Sequence, residues 1–246
     1  MTLHREILHP EAADLLQILS QAEELEGFTL IGGTALALQI GHRRSLDFDF
    51  ALFGGKLPGV RLDQLSARLK SEGYPMQMIT RPDQIASHKI NTGENLLDLV
   101  RDYVIAGVKI TFFIHGKSDA QREFYRQTDK VQPKGWRFAL LGLEGLKLAK
   151  TLVLADRVRS RDLYDLYSLN REHGYTMAEL LKVVSEFGTV NDPEHYKAIL
   201  RGEIPLDGDD EGLEAVEIIN GNDAMYRHFN QVIDEYEVEL ARNHFS

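Results

Sequence analysis

The spacing of hydrophobic residues divides the chain into a first part with strands and helices and a second part with helices alone. In the first part, short apolar runs and strict alternation predict strands. These strands cover residues 28–31, 46–52, 76–79, 96–105 and 108–114, and the last two form a hairpin around Ala106-Gly107. Apolar residues at helical spacing predict helices over residues 10–25, 34–40 and 62–70, each with a glycine shortly after its end.

After Gly116 the strand patterns almost disappear. Helices are predicted in this second part over residues 141–154, 162–172, 177–187, 192–200 and 222–241. The change of pattern falls near residues 116–136, so we expect an α/β domain over residues 1–120 and a mainly helical domain over residues 121–246. Together the elements predict an α+β protein, in which a mixed or antiparallel sheet of about five strands is flanked by helices.

The composition argues against a membrane protein, an exported protein and a protein stabilised by disulfides. The 246 residues include no cysteine, and 43% of them are hydrophobic and 27% charged, as in an ordinary globular protein. No run of about 18 apolar residues could cross a membrane, and the charged N-terminal residues do not resemble a signal peptide. We therefore expect a cytoplasmic protein with no disulfide and no thiolate metal site.

The net charge of −10 comes entirely from the last part of the chain. Residues 203–246 contain twelve acidic and two basic residues, whereas residues 1–202 contain 26 of each. A protein that is acidic throughout is a poor partner for nucleic acid, but this excess is confined to one segment. Residues 207–211 are most simply a solvated loop; alternatively, they contact a basic partner or limit nonspecific RNA binding.

The strongest candidate for chemistry combines a glycine turn with two aspartates on a strand. Gly32 and Gly33 follow a predicted strand and Thr34 opens a predicted helix, where the backbone can approach a phosphate closely and offer it N–H groups. Asp47 and Asp49 are separated by one residue on a strand, so their side chains project from the same face. Two carboxylates about 7 Å apart repel each other unless a cation lies between them. Mg²⁺ prefers such oxygen ligands and takes others from phosphates.

Each half of this constellation also has a plainer interpretation. Taken alone, an Asp-x-Asp strand is usually a solvated surface, and a Gly-Gly-Thr segment is usually a turn. Here the two halves occur together, with one short helix between them. The Gly-Gly-Thr segment suits a phosphate, and the Asp-x-Asp strand suits the metal bound to that phosphate. Phe48 and Phe50 alternate with the aspartates and supply the buried face of the strand. The sequence therefore predicts a site for a Mg²⁺-bound nucleoside triphosphate.

The segment GGTALALQIGHRRSLDFDF resembles the signature of the AbiEii/AbiGii abortive-infection toxin family, which belongs to the nucleotidyltransferase superfamily. The residues that carry the resemblance are Gly32, Gly33, Thr34, Leu36, Gly41, His42, Arg43, Ser45, Asp47 and Asp49. It implies a nucleotidyltransferase-like sheet, catalytic and metal-binding roles for Asp47 and Asp49, and nucleotide binding around the glycine turn. Ser45 either contacts phosphate or caps the strand entrance, and Arg43 belongs to a basic patch suited to phosphate or RNA.

A second motif lies at the start of the helical part. Residues 147–161 contain five basic residues and one acidic residue, and Lys150, Arg157 and Asp162 resemble the downstream residues of the same family. Lys150 suits a β- or γ-phosphate, and Arg157 suits bidentate binding of a phosphate or carboxylate. Asp162 is a catalytic candidate, with an equal alternative as an acid that caps its helix and pairs with Arg157. Asp165 is expected to be structural.

The sequence departs from the superfamily pattern in the strand at residues 108–114. Enzymes of the superfamily often carry a third carboxylate there, which deprotonates the attacking hydroxyl or completes a two-metal site. Thr111 stands about where that acid is expected, and Asp98 is a substitute whose position the sequence does not define. The sequence therefore does not identify the general base that deprotonates the attacking hydroxyl. His42, His88 and His115 lack the spacing of a zinc site and are expected to be structural or surface residues.

The site residues and the resemblance favour a toxin-like, Mg²⁺-dependent nucleotidyltransferase that transfers NMP from NTP to an acceptor hydroxyl. The expected acceptor is a tRNA 3′ end or a protein, and the expected partner is a separate antitoxin protein. Catalysis would come mostly from positioning and charge neutralisation.

One alternative is a small-molecule nucleotidyltransferase of the antibiotic-modifying kind, which a deep acid-lined pocket would favour. The other alternative is a non-catalytic nucleotide-binding or interaction module, which is consistent with Thr111 in place of an acid.

Overall fold

The computed structural model describes residues 2–219 and 221–244, with side chains up to residue 243. The chain forms two compact units, Met1–Leu143 and Glu144–Ser246. The boundary expected from the sequence, at residue 120, falls inside the first unit because Ala139–Leu141 is still a strand of its sheet.

Within the described residues, a mixed sheet of seven strands forms the centre of the first unit. In chain order the strands are β1 Thr29–Ile31, β2 Phe48–Leu52, β3 Met76–Met78, β4 Val100–Ile105, β5 Val108–Ile114, β6 Lys130–Val131 and β7 Ala139–Leu141. Their order across the sheet is β3-β4-β5-β2-β1-β7-β6. The β1–β7 and β2–β5 pairs are parallel and the other pairs are antiparallel.

The α+β class and the mixed sheet are therefore confirmed, and all of the predicted strands are present. The strands that the sequence does not predict are β6 and β7, which have two and three residues. Strands of this length are too short to show a period of two. The predicted hairpin is also confirmed: Ala106 and Gly107 have φ angles of 49° and 82°, as required at both central positions of a type I′ turn.

The helices of the first unit lie before β1 or between successive strands along the chain. They are α1 Pro10–Ser20, α2 Gly32–Ile40, α3 Gly59–Ser71, α4 Pro82–Thr92 and α5 Asp119–Gln127. The sequence predicts α1, α2 and α3 but neither α4 nor α5. In the described residues α4 has no buried residue, and α5 buries only Gln121 and Tyr125. The helix α4 therefore lacks the apolar stripe that reveals a helix in a sequence, whereas α5, with nine residues, is shorter than the window over which the helical period is recognised.

Aromatic residues on one face of the sheet fix the orientation of β2. Phe48 and Phe50 are 0% exposed, as is Phe112 on β5, and the stacked rings of Phe50 and Phe112 have centroids 5.4 Å apart. Burying each phenylalanine contributes roughly 1.5–3 kcal/mol. A shift of one residue in register would turn these rings to the opposite face, so they hold Asp49 on the face away from the aromatic core.

The second unit consists of helices joined by loops, with no strand among its described residues. Its helices are α6 Leu143–Leu152, α7 Ser160–His173, α8 Met177–Phe187, α9 Pro193–Arg201 and α10 Gly221–His244. The first residue of α6, Leu143, is still counted in the first unit. All helices predicted for this part of the chain are confirmed, with small shifts at their ends. Leu163 and Leu166 of α7 and Phe229 and Ile233 of α10 are among its buried residues. No helix of the described residues is long and apolar enough to cross a membrane.

The acidic residues 207–211 form a loop that is partly exposed, as expected, and that is also bonded to the chain around the start of α7. Asp207 and Asp210 accept hydrogen bonds from the backbone N–H groups of Val158 and Ser160, each at 3.2 Å. Ion pairs join Asp209 to Arg159 and Glu211 to Arg161. The N-terminus of α7 is the positive end of the helix dipole, and the arginines beside it are also positively charged. Both features stabilise acidic residues at this position.

Candidate active site

The glycine turn connects β1 directly to α2. Gly32 is the first residue of α2 and has a φ of 73°, which residues with side chains rarely adopt. A Cβ atom at this position would lie 2.6 Å from Oδ2 of Asp49. The first N–H groups of an α-helix have no acceptor within the helix, so this turn is suited to binding an anion. Gly32 therefore provides both the turn and the space that the Asp49 carboxylate occupies.

Gly33 provides space for a buried guanidinium group. A Cβ atom at position 33 would collide with Nη2 of Arg43. Arg43 is only 7% exposed, and its Nη1 donates to the backbone carbonyl oxygen of Arg44 at 2.8 Å. The structure thus brings the guanidinium group of Arg43 against the glycine turn, at the start of α2.

Thr34 and Ser45 join the first turn of α2 to the residues that precede β2. Their hydroxyl oxygens are 2.7 Å apart, and Thr34 also donates to the backbone carbonyl of Asp47. Both side chains are buried, at 1% and 5% exposure, and buried hydroxyl groups are costly unless they are hydrogen-bonded. These bonds hold Asp47 in a fixed position relative to the glycine turn. For Ser45 this contact corresponds to the role at the strand entrance.

Asp47 and Asp49 are partly exposed carboxylates on either side of the buried Phe48. No cluster of three or more histidine, aspartate, glutamate or cysteine residues in the described part of the chain could hold a metal, so a cation here would have two carboxylate ligands. Mg²⁺ fits such a set, since it takes one or two carboxylates and completes its octahedron with waters and phosphate oxygens. A zinc site would need more protein ligands.

Asp49 also belongs to a row of polar residues that crosses three strands. Asp49 pairs with Thr111 across β2 and β5, and Thr111 pairs with Asp102 across β5 and β4. Thr111 Oγ1 donates to Asp102 Oδ1 at 2.9 Å. Asp102 is not among the site residues predicted from the sequence. The signal that could have found it is a charged residue that interrupts the apolar pattern of a strand.

Asp98, the substitute acid considered from the sequence, lies outside this row. It belongs to a 3₁₀ helix, Leu96–Asp98, that precedes β4. Its Oδ2 is 2.8 Å from Nζ of Lys56, whose side chain is 75% exposed. Asp98 is thus bound to a surface lysine, while Asp102 is the acid that contacts Thr111.

The second unit brings Lys150, Arg157 and Asp162 into one cluster. Nζ of Lys150 is 2.7 Å from Asp162 Oδ1 and 2.6 Å from Asp165 Oδ2. Nε of Arg157 is 2.8 Å from Asp162 Oδ2. Burial raises the pKa of Asp162, but Lys150 and Arg157 outweigh burial, so the pKa lies below its ordinary value. Asp162 is therefore ionised at neutral pH and bridges the two cations.

The candidate residues are therefore distributed over both units. The first unit holds the glycine turn with Thr34, Arg43, Ser45, Asp47 and Asp49, and the second unit holds Lys150, Arg157 and Asp162.

His115 lies among the rings of Phe53, Phe113 and Tyr125, and burial lowers its pKa from 6.5 to about 4. This environment agrees with the structural role expected for this histidine.

Comparison with known proteins gives first the class of protein: residues 14–235 match nucleotidyl transferases. Because the match covers most of the chain, the protein belongs to the AbiEii family, described as nucleotidyl transferase AbiEii toxin of a type IV toxin–antitoxin system. The resemblance found in the sequence is thereby confirmed, and the protein belongs to a family of enzymes.

Individual relatives are more distant. An uncharacterized protein of Aquifex aeolicus (strain VF5) is 28% identical over 159 residues, which are 65% of each chain, so the chain matches slightly less than two thirds of this relative. A crystal structure described as a candidate nucleotidyltransferase from H. pylori aligns with a TM-score of 0.48 and 18% identity, over 92% of this chain and 95% of that one. JHP933 from Helicobacter pylori aligns with a TM-score of 0.46 and 15% identity, over 96% and 99% of the two chains.

Proposed function

We propose that the protein transfers NMP from an NTP to an acceptor hydroxyl, on a tRNA 3′ end or on a protein, in a Mg²⁺-dependent reaction. The observation that carries this proposal is the position of Asp49 beside Gly32. The Asp49 carboxylate oxygen occupies the space where a side chain of residue 32 would be, 2.6 Å from that Cβ position. A carboxylate suited to a metal is thus adjacent to a turn suited to a phosphate, as a metal-bound triphosphate requires.

In this proposal each residue of the first unit has a separate task. Asp47 and Asp49 are the metal ligands; Mg²⁺ bound there would offset the negative charge of the triphosphate. The backbone of Gly32 and Gly33 and the first N–H groups of α2 bind phosphate oxygens, and Arg43 adds positive charge beside them. Thr34 and Ser45 support nucleotide binding by holding the turn to the start of β2.

The reaction itself is an in-line displacement at the α-phosphorus. The acceptor oxygen forms a bond to phosphorus, and the bond to the pyrophosphate oxygen breaks. Pyrophosphate leaves with the electron pair, and the hydroxyl proton is released to water. Such transfers depend mainly on holding the two reactants in line and on offsetting charge. Rigid supports such as the Thr34–Ser45 contact are consistent with that demand.

Lys150, Arg157 and Asp162 of the second unit complete the proposal. For this unit we propose that Lys150 and Arg157 are phosphate-binding cations and that Asp162 has a catalytic role, because it bridges them. The low pKa of Asp162 supports this assignment, since an ionised carboxylate keeps both cations in place. Because the family is one of toxin–antitoxin systems, we further propose a separate antitoxin protein as partner.

The test compares the wild-type protein with Asp47→Asn/Asp49→Asn. Each protein is incubated with each α-labelled NTP, Mg²⁺ and total cell extract, and the RNA, protein and small-molecule fractions are counted. We expect the wild type to label RNA or protein and the double variant to lose at least ~100-fold of this activity, because charge stabilisation at the reacting phosphate is lost. Asp83→Asn/Asp119→Asn is a matched control, since these carboxylates are 62% and 100% exposed.

Other outcomes would select the alternatives. Equal labelling by the wild type and the Asp47/Asp49 variant, or no labelling by either, would contradict the proposed reaction. Label found only in a small molecule would indicate an enzyme of the antibiotic-modifying kind. Tight binding of Mg-NTP in calorimetry without any label transfer would indicate a nucleotide-binding module.

A further inference from the structure

The polar row of Asp49, Thr111 and Asp102 lies on the face of the sheet opposite the aromatic core. All three residues are partly exposed, and residues paired directly across neighbouring strands project from the same face. Neighbouring strands are about 4.8 Å apart, so Thr111 is the immediate neighbour of Asp49 on this side of the sheet. A group held by Thr111 would therefore lie beside the carboxylate that we assign to the metal-bound nucleotide.

The contact to Asp102 determines how Thr111 can bind another molecule. A threonine hydroxyl has one hydrogen to donate and two lone pairs that accept. Thr111 donates its hydrogen to Asp102 Oδ1 at 2.9 Å. Asp102 is itself held in place, because its backbone N–H donates to Oγ1 of Thr80 at 2.7 Å. Thr111 therefore still offers a hydrogen-bond acceptor in a fixed position, which a donor from another molecule can use.

We propose that Thr111 binds the acceptor hydroxyl and that Asp102 is the residue that positions Thr111. This inference rests on the proposed function and identifies the part of the site that takes the second substrate. An alcohol supplies the O–H donor that the Thr111 oxygen can accept, and the bound oxygen lies next to the nucleotide held at Asp49. The subsite orients the hydroxyl and does not take its proton. It selects acceptors with a free hydroxyl group, such as the ribose of an RNA 3′ end.

Four variants test the proposal through the hydrogen bonds that they keep or remove. Thr111→Val removes the hydroxyl and keeps the side-chain shape, whereas Thr111→Ser keeps the hydroxyl. Asp102→Leu removes the acceptor of the Thr111 hydrogen, whereas Asp102→Asn keeps an oxygen that can accept it. Initial rates are measured with α-labelled NTP and increasing concentrations of total tRNA. Binding of Mg-NTP is measured separately by calorimetry.

We expect Thr111→Val and Asp102→Leu to lower kcat/KM for tRNA by about tenfold or more, because an oriented hydrogen bond to the reacting hydroxyl is lost. Thr111→Ser and Asp102→Asn are expected to stay within about threefold of the wild type by the same reasoning. The KM and the calorimetric affinity for NTP stay at the wild-type value in all four. Thr92→Val is the matched control, since that exposed hydroxyl donates to the carbonyl of His88 and accepts from the backbone N–H of Glu94, two residues outside the polar row.

Each contrary result has a definite meaning. If Asp102→Asn loses as much activity as Asp102→Leu, the charge of Asp102 is needed and the positioning role is wrong. If Thr111→Val keeps full kcat/KM for tRNA, or loses Mg-NTP affinity, Thr111 is not an acceptor subsite. If the wild type binds Mg-NTP but labels no acceptor, the proposed function is wrong and this inference falls with it. Thermal unfolding of all variants separates these results from a loss of folding.

Discussion

His115, which follows β5, shows how one buried side chain makes the first unit sensitive to pH. It packs against the rings of Phe53, Phe113 and Tyr125. Within the described part of the chain, its Nε2 is buried and has no hydrogen-bond partner. Burial without a partner disfavours the charged imidazolium and lowers the pKa from 6.5 to about 4. The folded protein therefore keeps this histidine neutral where an unfolded chain begins to bind a proton.

We expect His115→Phe to reduce the loss of stability at acidic pH. Between pH 6.5 and pH 4 the unfolded wild type binds a proton at His115 that the folded state does not. The free energy of unfolding consequently falls as the pH is lowered through this window, by at most about 3 kcal/mol from this residue. Phenylalanine keeps the aromatic packing and removes the titrating group.

Urea unfolding at pH 7 and at pH 4.5 measures this effect. The difference in unfolding free energy between the two pH values should be smaller for His115→Phe than for the wild type. His4→Gln is the control, because the His4 side chain is 44% exposed. The same pH dependence in the wild type and in His115→Phe would show that His115 is not the group responsible.

At the scale of secondary structure, the start of α2 depends on Gly32 for two separate reasons. Its φ of 73° is costly for any residue with a side chain, and a Cβ atom there would press against Asp49. Gly93, at the end of α4, has a similar φ of 76° but has nothing within 4 Å of the Cβ position. The two glycines therefore separate the cost of the backbone conformation from the displacement of a carboxylate.

We expect Gly93→Ala to lower stability by about 1–2 kcal/mol, the cost of a left-handed residue with a side chain, and to leave nucleotide binding unchanged. Gly32→Ala should show a similar or larger loss of stability and, in addition, weaken Mg-NTP binding by about tenfold or more, because the Asp49 carboxylate is displaced. Denaturant unfolding and calorimetry measure the two quantities. Wild-type affinity in Gly32→Ala would show that the contact with Asp49 does not matter for the nucleotide.

Local spacing explains which elements can be predicted from the sequence. The β4–β5 hairpin follows from two apolar runs around Ala106-Gly107, and a two-residue turn also fixes the register that places Asp102 opposite Thr111. The pairing of Asp102 with Thr111 therefore follows from local sequence alone. The pairing of Thr111 with Asp49 is different, because it depends on a parallel contact between β2 and β5, which are far apart in the chain.

The same distinction applies to the candidate site. The glycine turn and the two aspartates lie within one short segment, so a sequence motif can identify them. The partners of these residues cannot be identified in this way: the contact of Gly33 with Arg43 and the contact of Thr34 with Ser45 depend on how α2 packs against the loop that follows it. Whether a polar side chain is buried depends on packing around it, which local spacing does not describe.

At the scale of the whole molecule, charge is distributed very unevenly. The net charge of −10 comes from residues 203–246, and part of this acidity is bound within the second unit. Asp209 and Glu211 form ion pairs with Arg159 and Arg161. These carboxylates occupy arginine groups that are otherwise well suited to phosphates. Because Asp209 and Glu211 are 73% and 57% exposed, these pairs contribute only about 0–1 kcal/mol each to stability.

Point variants test the role of this segment better than deletion does. Residues 203–246 also include Met225, Phe229 and Ile233, which are buried in the second unit, so removing them would leave a large apolar surface exposed. The double variant Asp209→Asn/Glu211→Gln removes only the two carboxylates. The control Glu235→Gln/Glu239→Gln makes the same change in net charge, at acids of α10 that pair with neither arginine.

We expect Asp209→Asn/Glu211→Gln to bind total tRNA severalfold more tightly than the control at low salt, because Arg159 and Arg161 become available to phosphates. Fluorescence anisotropy over a salt series tests the cause. Two additional phosphate contacts should make the dependence of log affinity on log salt steeper by about 1.4–1.8, whereas a general change in net charge should act equally in both variants. Equal gains and equal slopes would show that the pairing with Arg159 and Arg161 does not limit RNA binding. A steeper slope in the first variant alone would mean that the acidic segment competes with RNA for these two arginines.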